Sequence, residues 1–401
     1  MMTAPLRKEW FQLASLTLAH AVADTFVGII SPVLVPLCDH YHVGLSLLIF
    51  ASSILAFSSN IFQIPIGHLH AKLTSPILII GGVLLSGTSV FMTQLPFTGT
   101  VSVVCMSLLA VIAGLGVATV HPEGLRAVHG LKLIPSSLST AVFMVAGFFG
   151  FAGGALLSSS LVDNFGMGSL IYLYGLAPLS VIPLYLCKIR LPIEAEMAQE
   201  PTAADDMMPR IPFIPVLIIA SILAICSQIQ ASLLPSYLQK EAGYSLSFGG
   251  LSFTLYGLGG MVGAVTWGSL APRIGHLRIL ITVTLLGAPM TLLYLLWAPH
   301  SKWAVAFLAF TGFIVYTGFP LCITLARYSI SSLRFGQRMG LASGGTWGIA
   351  AMTLWCLAPI SDYTGLGPLL HLIWVGYIVA GLIALAVTRR ARLSEKQADG
   401  L

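Results

Sequence analysis

Apolar runs recur along this chain with short polar breaks between them, and each is close to the roughly 20 residues that a membrane-spanning helix needs. The first six are Leu13–Leu37, Leu45–Ile66, Ser75–Leu95, Val101–Glu123, Ser136–Val162 and Leu170–Ile189. They resume at Ile214–Leu238, Leu246–Leu270, Leu277–Ala298, Trp303–Leu325, Leu341–Ile360 and Leu369–Val387. The pattern predicts an all-α integral membrane protein with twelve spans. The one long polar stretch between runs, Leu191 to Pro212, holds Glu194, Glu196, Glu200, Asp205 and Asp206 among several prolines, and reads as a flexible linker. The expected organisation is a six-helix bundle over residues 1–190, a linker over 191–212 and a second six-helix bundle over 213–401.

Composition agrees. The chain is 57% hydrophobic and only 8% charged, against roughly 25% charged in soluble domains, so its solvent is expected to be lipid. The net charge of +5 is scattered over loops. That argues against nucleic acid, which calls for a basic patch on one face. Cytoplasmic loops are enriched in Lys and Arg. With a cytoplasmic N-terminus and twelve spans, all but two of the 19 basic residues fall inside; the exceptions are Lys240 and Lys302. An even number of spans with both termini cytoplasmic is therefore expected. The first run follows Arg7 and Lys8, is too long for a signal-peptide core and lacks a small-residue cleavage site, so it reads as a span. Cys38, Cys105, Cys187, Cys226, Cys322 and Cys356 form no CxxC pair, and small core residues are expected there. The short loops suggest a multi-pass protein of the bacterial inner (cytoplasmic) membrane, working as a monomer.

The two halves repeat each other. Pro36 precedes Gly44-x-Ser46 and Gly67 closes the second span; at the same spacing Pro235 precedes Gly243-x-Ser245, and Gly268 closes the eighth. Six spans per half in the same orientation imply a parallel repeat about an axis along the membrane normal, which is the plan of the major facilitator fold.

Two loops resemble the facilitator signature G-x-L-x-D-R-x-G-R-R. Gly268-Ser269-Leu270-Ala271-Pro272-Arg273 follows the eighth span and Gly67-His68-Leu69-His70-Ala71-Lys72 the second. Glycine, leucine and one basic residue are kept; Pro272 and Ala71 stand where the signature has its acid. Within that superfamily the chain resembles the fosmidomycin-resistance-type efflux proteins. The matching segments are His20-x-x-x-Asp24 with Ser31-Pro32 and Val35-Pro36-Leu37, His121-Pro122-Glu123-x-x-Arg126, the glycine-rich stretch Gly147 to Gly154, and Gly340-Leu-Ala-Ser343-Gly344. Phe148 and Ala155 depart from the family pattern. The resemblance spans most of the chain and implies a secondary transporter.

Asp24 lies inside the first span, where a carboxylate costs roughly 2.5–3.5 kcal/mol on insertion scales and should face a cavity or a partner. His20 is one turn earlier on the same face. The pair could carry a proton or lock helix packing. Glu123 and Arg126 can pair at i, i+3 beside His121; an arginine there could hold an anionic cargo, tune Glu123, or form an interfacial salt bridge. The proton-coupling candidates are therefore Asp24, His20, Glu123 and His121. Arg126, Asn60, Gln63, Gln228, Gln230, Tyr256, Tyr316, Arg327 and Trp347 are candidates for cargo contact or gating, each also readable as packing. The candidate gate loops carry Gly67, Lys72, Gly268 and Arg273. The H-x-H pairs His40/His42 and His68/His70 read as solvated loop residues, and no metal is expected.

No G-x-x-x-x-G-K-S/T loop is present and no nucleophile–base arrangement is visible, so neither ATP hydrolysis, nor enzymatic activity, nor a cofactor is expected. The sequence points to proton-coupled efflux of a small amphiphilic or anionic compound by alternating access. Its alternatives are a proton-coupled importer of a nutrient or metal chelate, and a non-transporting receptor or assembly factor. The partners implied are a small-molecule substrate, protons and the lipid bilayer.

Overall fold

The computed structural model describes residues 4–69, 74–192, 211–333 and 335–399, with the side chains of 67–69, 136–137, 335–336 and 391–399 outside the description. Eleven helical runs are long and apolar enough to cross a membrane. We number them with one shorter run in chain order. The first six are α1 (Ala4–Tyr41), α2 (Leu45–Ile66), α3 (Ile77–Thr93, the shorter one), α4 (Gly99–His129), α5 (Leu138–Phe165) and α6 (Met167–Leu186). The rest are α7 (Phe213–Lys240), α8 (Leu246–Ile274), α9 (His276–Trp297), α10 (Ala304–Tyr328), α11 (Gln337–Thr364) and α12 (Gly367–Arg390). The only β pairing among the described residues is an isolated bridge between Pro212 and Ile330. Backbone groups in lipid must be satisfied within their own segment, which an unbroken helix achieves.

The expected third span, Ser75–Leu95, is the element that falls short. Its helix begins after Pro76, and its last seven residues, Gly87–Thr93, wind as a 3-10 helix after ten α-helical ones, Ile77–Ser86. The 3-10 turn rises about 2.0 Å per residue against 1.5 Å in an α-helix, so α3 reaches about 29 Å, close to a hydrocarbon core of about 30 Å. The fourth span outruns its expected end at Glu123, continuing through Pro122 to His129. In α1, a short 3-10 turn at Ser31–Val33 separates Ala4–Gly28 from Leu34–Tyr41. Pro32 lies at the start of that turn, where its missing N–H costs no hydrogen bond. Of the cysteines, Cys226 and Cys322 are buried as expected; Cys38, Cys105 and Cys187 are half-buried, and Cys356 is exposed.

The chain divides into two compact units, Met1–Gln199 with Tyr244–Thr254, and Glu200–Gly243 with Leu255–Leu401. In the first, α1 packs on α5 and α6, while α2 and α3 pack on α4. The second repeats this six helices later: α7 packs on α11 and α12, and α9 packs on α10. There α8 meets α10 through Gly263 against the Phe313 carbonyl and Gly312 against that of Tyr256. The turns that end α5 and α11 are also alike. Gly166 and Gly365 both adopt φ 77°, and they are as far apart in the chain as Pro36 and Pro235. At that φ a side chain is strained, which explains a glycine at each. α7 buries every residue from Gln228 to Leu238, as befits a helix at the centre of its bundle.

Candidate functional site

The site is built where α1 and α5 touch backbone to backbone. A Cβ on Gly150 would strike the Ala21 carbonyl, one on Gly154 would lie 2.5 Å from the Thr25 carbonyl oxygen, and Gly28 of α1 meets the Phe151 carbonyl in return. Small residues at a helix contact allow such an approach. One turn before Gly150, Gly147 leaves room for two α1 side chains. A Cβ there would lie 2.5 Å from Asp24 Oδ2 and from His20 Nε2. The glycine-rich stretch of α5 thus presses the polar face of α1 inward.

His20 is 1% exposed. Its Nδ1 lies 2.8 Å from the Phe143 carbonyl oxygen of α5. A carbonyl can only accept, so Nδ1 carries the hydrogen and, in the neutral ring, Nε2 carries the lone pair. That Nε2 faces Asp24 Oδ2 at 3.3 Å and makes no aligned hydrogen bond. His121 of α4 is held the same way. Its Nδ1 is 2.9 Å from the Val117 carbonyl oxygen, and its Nε2 faces Asp24 Oδ1 at 3.3 Å. The two imidazoles stand edge to face with centroids 4.9 Å apart.

Each oxygen of one carboxylate therefore confronts the bare nitrogen of one imidazole. Lone pairs facing each other at this distance repel, and a proton placed in either gap turns repulsion into a charge-assisted hydrogen bond. With neutral rings and an ionised carboxylate the cluster carries one negative charge; one bound proton neutralises it. Access is graded, since the side chain of His20 is 1% exposed, that of Asp24 15% and that of His121 26%. The same three residues are the one set of His, Cys, Asp or Glu among the described residues whose ligand atoms, all within 4.8 Å of one another, could also meet on a metal ion.

Further along α4, Arg126 Nη2 bonds Glu123 Oε2 at 2.6 Å, with both residues buried. An ion pair in this setting keeps two otherwise costly charges inside the bundle. Phe143 links the two groups. Its ring stacks on His20 with centroids 4.1 Å apart, and its Cζ lies against Gly124, next to Glu123.

The other candidates from the sequence fall elsewhere. Asn60 and Gln63 turn back on their own helix, bonding the carbonyls of Ala56 and Ser59, each at 2.8 Å. Gln228 and Gln230 are both buried in the second unit, and Gln228 bonds Ser232 Oγ at 3.1 Å. Tyr256 meets Tyr316 edge-on at 5.9 Å, and Trp347 meets Phe319 at 5.3 Å. Arg327 is exposed with its guanidinium 5.5 Å from the Tyr328 ring centroid. Gly268 and Arg273 are exposed near the end of α8; Gly67 is helical, and Lys72 lies outside the described residues. His40 and His42 are exposed, His70 lies outside the described residues, and the side chain of His68 is not described. By the repeat, the positions matching His20 and Asp24 are Ile219 and Leu223, both buried and apolar. At these two positions the second half thus carries no counterpart of the charged pair.

The Major Facilitator Superfamily model matches residues 16–352 and, in a second alignment, 216–399. The chain belongs to this superfamily. The fosmidomycin resistance protein of Escherichia coli K12 is 23% identical over 376 residues, covering 91% of this chain and 89% of that protein. Among solved structures, a bacterial homologue of the human lysosomal transporter Spinster, inward-facing and unoccupied, aligns with a TM-score of 0.66 at 13% identity over 98% of both chains. The peptide transporter POT in complex with alafosfalin aligns with a TM-score of 0.65 at 15% identity over 94% of both. At these identities the structures show the shared fold. The chain is a multi-pass membrane transporter of the facilitator kind and not an enzyme.

Sequence reasoning reached His20, Asp24, His121, Glu123 and Arg126. It missed Phe143, whose carbonyl carries no residue-specific signal, and it gave the glycines of α5 as a match to the family's pattern. The glycine spacing was the available clue, because small residues one turn apart mark where another helix comes close.

Proposed function

We propose that this facilitator is a proton-coupled antiporter of the bacterial inner membrane that expels a small amphiphilic or anionic compound. Its coupling site is Asp24 with His20 and His121. The observation that carries the reading is the convergence of two Nε2 lone pairs on the two oxygens of one buried carboxylate. Both rings are held in the tautomer that cannot donate towards it. Such a site gains most from one proton and carries charge without it. Glu123 and Arg126 act next to it, on cargo or on the inward gate. We further propose twelve spans with α3 as the shortest, both termini cytoplasmic, bundles over 1–190 and 213–401 with the 191–212 segment as linker, and alternating access as a monomer. The length of α3 and the repeated pairing of helices support this. The name of the E. coli relative makes fosmidomycin the first cargo to test.

The test uses purified protein in liposomes with an imposed pH gradient and fosmidomycin as the probe. The expected result is fosmidomycin movement that dissipates the gradient in wild type and is uncoupled from it in Asp24→Asn. Coupled movement that survives Asp24→Asn overturns the assignment of the site. Movement that requires Zn²⁺ at every pH, and no gradient, assigns the three residues to a metal instead.

A further inference from the structure

Phe143 is 1% exposed and touches both charged groups of the first unit. Its carbonyl oxygen accepts the His20 Nδ1 hydrogen at 2.8 Å. Its ring stacks on the His20 ring, nearly parallel at 16°. The far end of that ring abuts α4, where a Cβ on Gly124 would lie 2.6 Å from Phe143 Cζ. Gly124 directly follows Glu123, whose carboxylate holds Arg126. One residue of α5 therefore grips the deepest member of the proton cluster by backbone and ring together, and rests its other end on the segment that carries the ion pair.

We propose that Phe143 is a positioning residue that ties proton occupancy at His20 to the geometry of the Glu123–Arg126 segment, an inference that rests on the proton reading above. An imidazolium donates to a carbonyl more strongly than a neutral imidazole does. Hence any shift of Phe143 alters the balance between the two protonation states. A rearrangement of α4 at Gly124 pushes on the ring, moves the carbonyl, and is felt at His20 through Phe143. In the reverse direction, a proton on His20 tightens the bond to Phe143 and draws its ring with it. The absence of a side chain on Gly124 lets the ring seat fully against α4.

Among the described residues, the charged and titratable groups around His20 are few enough to name. Its own helix supplies Asp24. α4 supplies His121, the Glu123–Arg126 pair and, towards its end, His129, which meets Thr140 Oγ1 at 3.2 Å. α5 faces His20 with Phe143 and Gly147, neither of which titrates. Beyond α6, Cys187 lies 3.2 Å from Ser15. Glu9, at the start of α1, is occupied by the backbone N–H groups of Lys132, Leu133 and Ile134. Neither substitution, at Phe143 or at Gly124, adds or removes a charge among these groups, so a change in His20 titration reports altered geometry, and Phe143→Leu tests the part carried by Phe143.

The experiment is a ¹⁵N-histidine NMR titration of the purified full-length protein in lipid, without cargo, between about pH 5 and 9. The His20 signals are assigned by their loss in His20→Asn. Wild type is expected to show His20 with a protonated Nδ1, and the pH series reads proton occupancy at its Nε2. Phe143→Leu, and Gly124→Ala, which drives a methyl into the ring, are each expected to shift the His20 midpoint by about half a pH unit or more. The double variant is expected to shift it by less than the two single shifts added, because the shorter leucine leaves room for the methyl. Gly153→Ala, whose Cβ meets nothing within 4 Å, is the control on the same helix and should leave the midpoint in place. If Gly124→Ala does not fold, Phe143→Leu alone carries the test. A wild-type His20 that never titrates in this range overturns the proton reading itself. A His20 that titrates identically in Phe143→Leu and wild type leaves the proton reading standing and overturns the role given to Phe143.

Discussion

Substitution of Gly147 by alanine tests the geometry of the coupling site with a single methyl group. A Cβ at this position would lie 2.5 Å from both Asp24 Oδ2 and His20 Nε2, and closer still to His20 Cε1. Ordinary contact begins near 3.4 Å, so roughly 1 Å of movement must come from somewhere. α5 cannot supply it alone, because one turn further on Gly150 already lies on the Ala21 carbonyl and Gly154 on that of Thr25. His20 cannot swing away without leaving the Phe143 carbonyl. Overpacking of this kind costs about 1–3 kcal/mol. The 3.3 Å contact between His20 and Asp24 is the softest part of the arrangement and opens first. A loss of about 1.4 kcal/mol in the coupled state corresponds to about tenfold in transport rate. The assay compares Gly147→Ala with Gly153→Ala for thermal stability in lipid and for gradient-driven fosmidomycin transport in liposomes. Gly153→Ala should be neutral or slightly stabilising, since alanine favours a helix over glycine by up to about 1 kcal/mol. Gly147→Ala should be less stable than Gly153→Ala and at least about tenfold slower. Equal stability and equal rate for the two variants would falsify the packing described for α1 and α5.

Other consequences can be checked alongside it. Arg126→Met or Glu123→Gln alone should destabilise the protein by about 3–5 kcal/mol through a stranded buried partner, whereas Glu123→Leu with Arg126→Met together should recover most of the loss in melting temperature. Tyr41, fully buried, donates to the Met92 carbonyl at 2.9 Å and accepts from Leu95 N–H at 3.0 Å. Tyr41→Phe should therefore cost about 1–3 kcal/mol, and faster hydrogen exchange at Leu95 would report it. In the second unit, Gly312→Ala, with its Cβ against the Tyr256 carbonyl, should lower thermal stability while leaving the pH dependence of transport unchanged. A shifted pH profile there would place coupling groups in the second half. Glu241→Gln should loosen the start of α12, where its carboxylate accepts from Leu366 and Gly367 N–H, and limited proteolysis at that turn would detect it.

Hydropathy alone determined the membrane class and most of the helices, because lipid admits one solution for a lone apolar segment of about 20 residues. The repeat was legible for the same reason that it folds twice. Pro36 and Pro235 hold matching helical places in the two halves, whereas Gly44 at φ −69° and Gly243 at φ 70° match in sequence but not in backbone. α3 was harder to place, since a run of apolar residues does not reveal that its last two turns wind as a 3-10 helix. Composition could also single out Asp24, His20 and the Glu123–Arg126 pair, because charge in a membrane is costly enough to stand out. It could set His20 and Asp24 on one face through their spacing.

Only the tertiary structure brought His121 across from α4 to the other oxygen of the same carboxylate, and only it fixed the His20 ring by its Nδ1 on α5; the His121 ring is held from one turn back on its own helix. The His121–Asp24 and His20–Phe143 contacts join residues about 100 positions or more apart in the chain, and no local rule relates them. The fixing atoms are the backbone carbonyls of Phe143 and Val117, a group that every residue carries, so nothing in the side-chain sequence marks them. Asn60 and Gln63 stood in sequence as candidates for cargo contact or gating, apart from Asp24, and the structure places them differently too. The two amides donate to carbonyls on the preceding turn of their own helix, whereas the Asp24 carboxylate, which only accepts, meets His20 on its own helix and His121 on another.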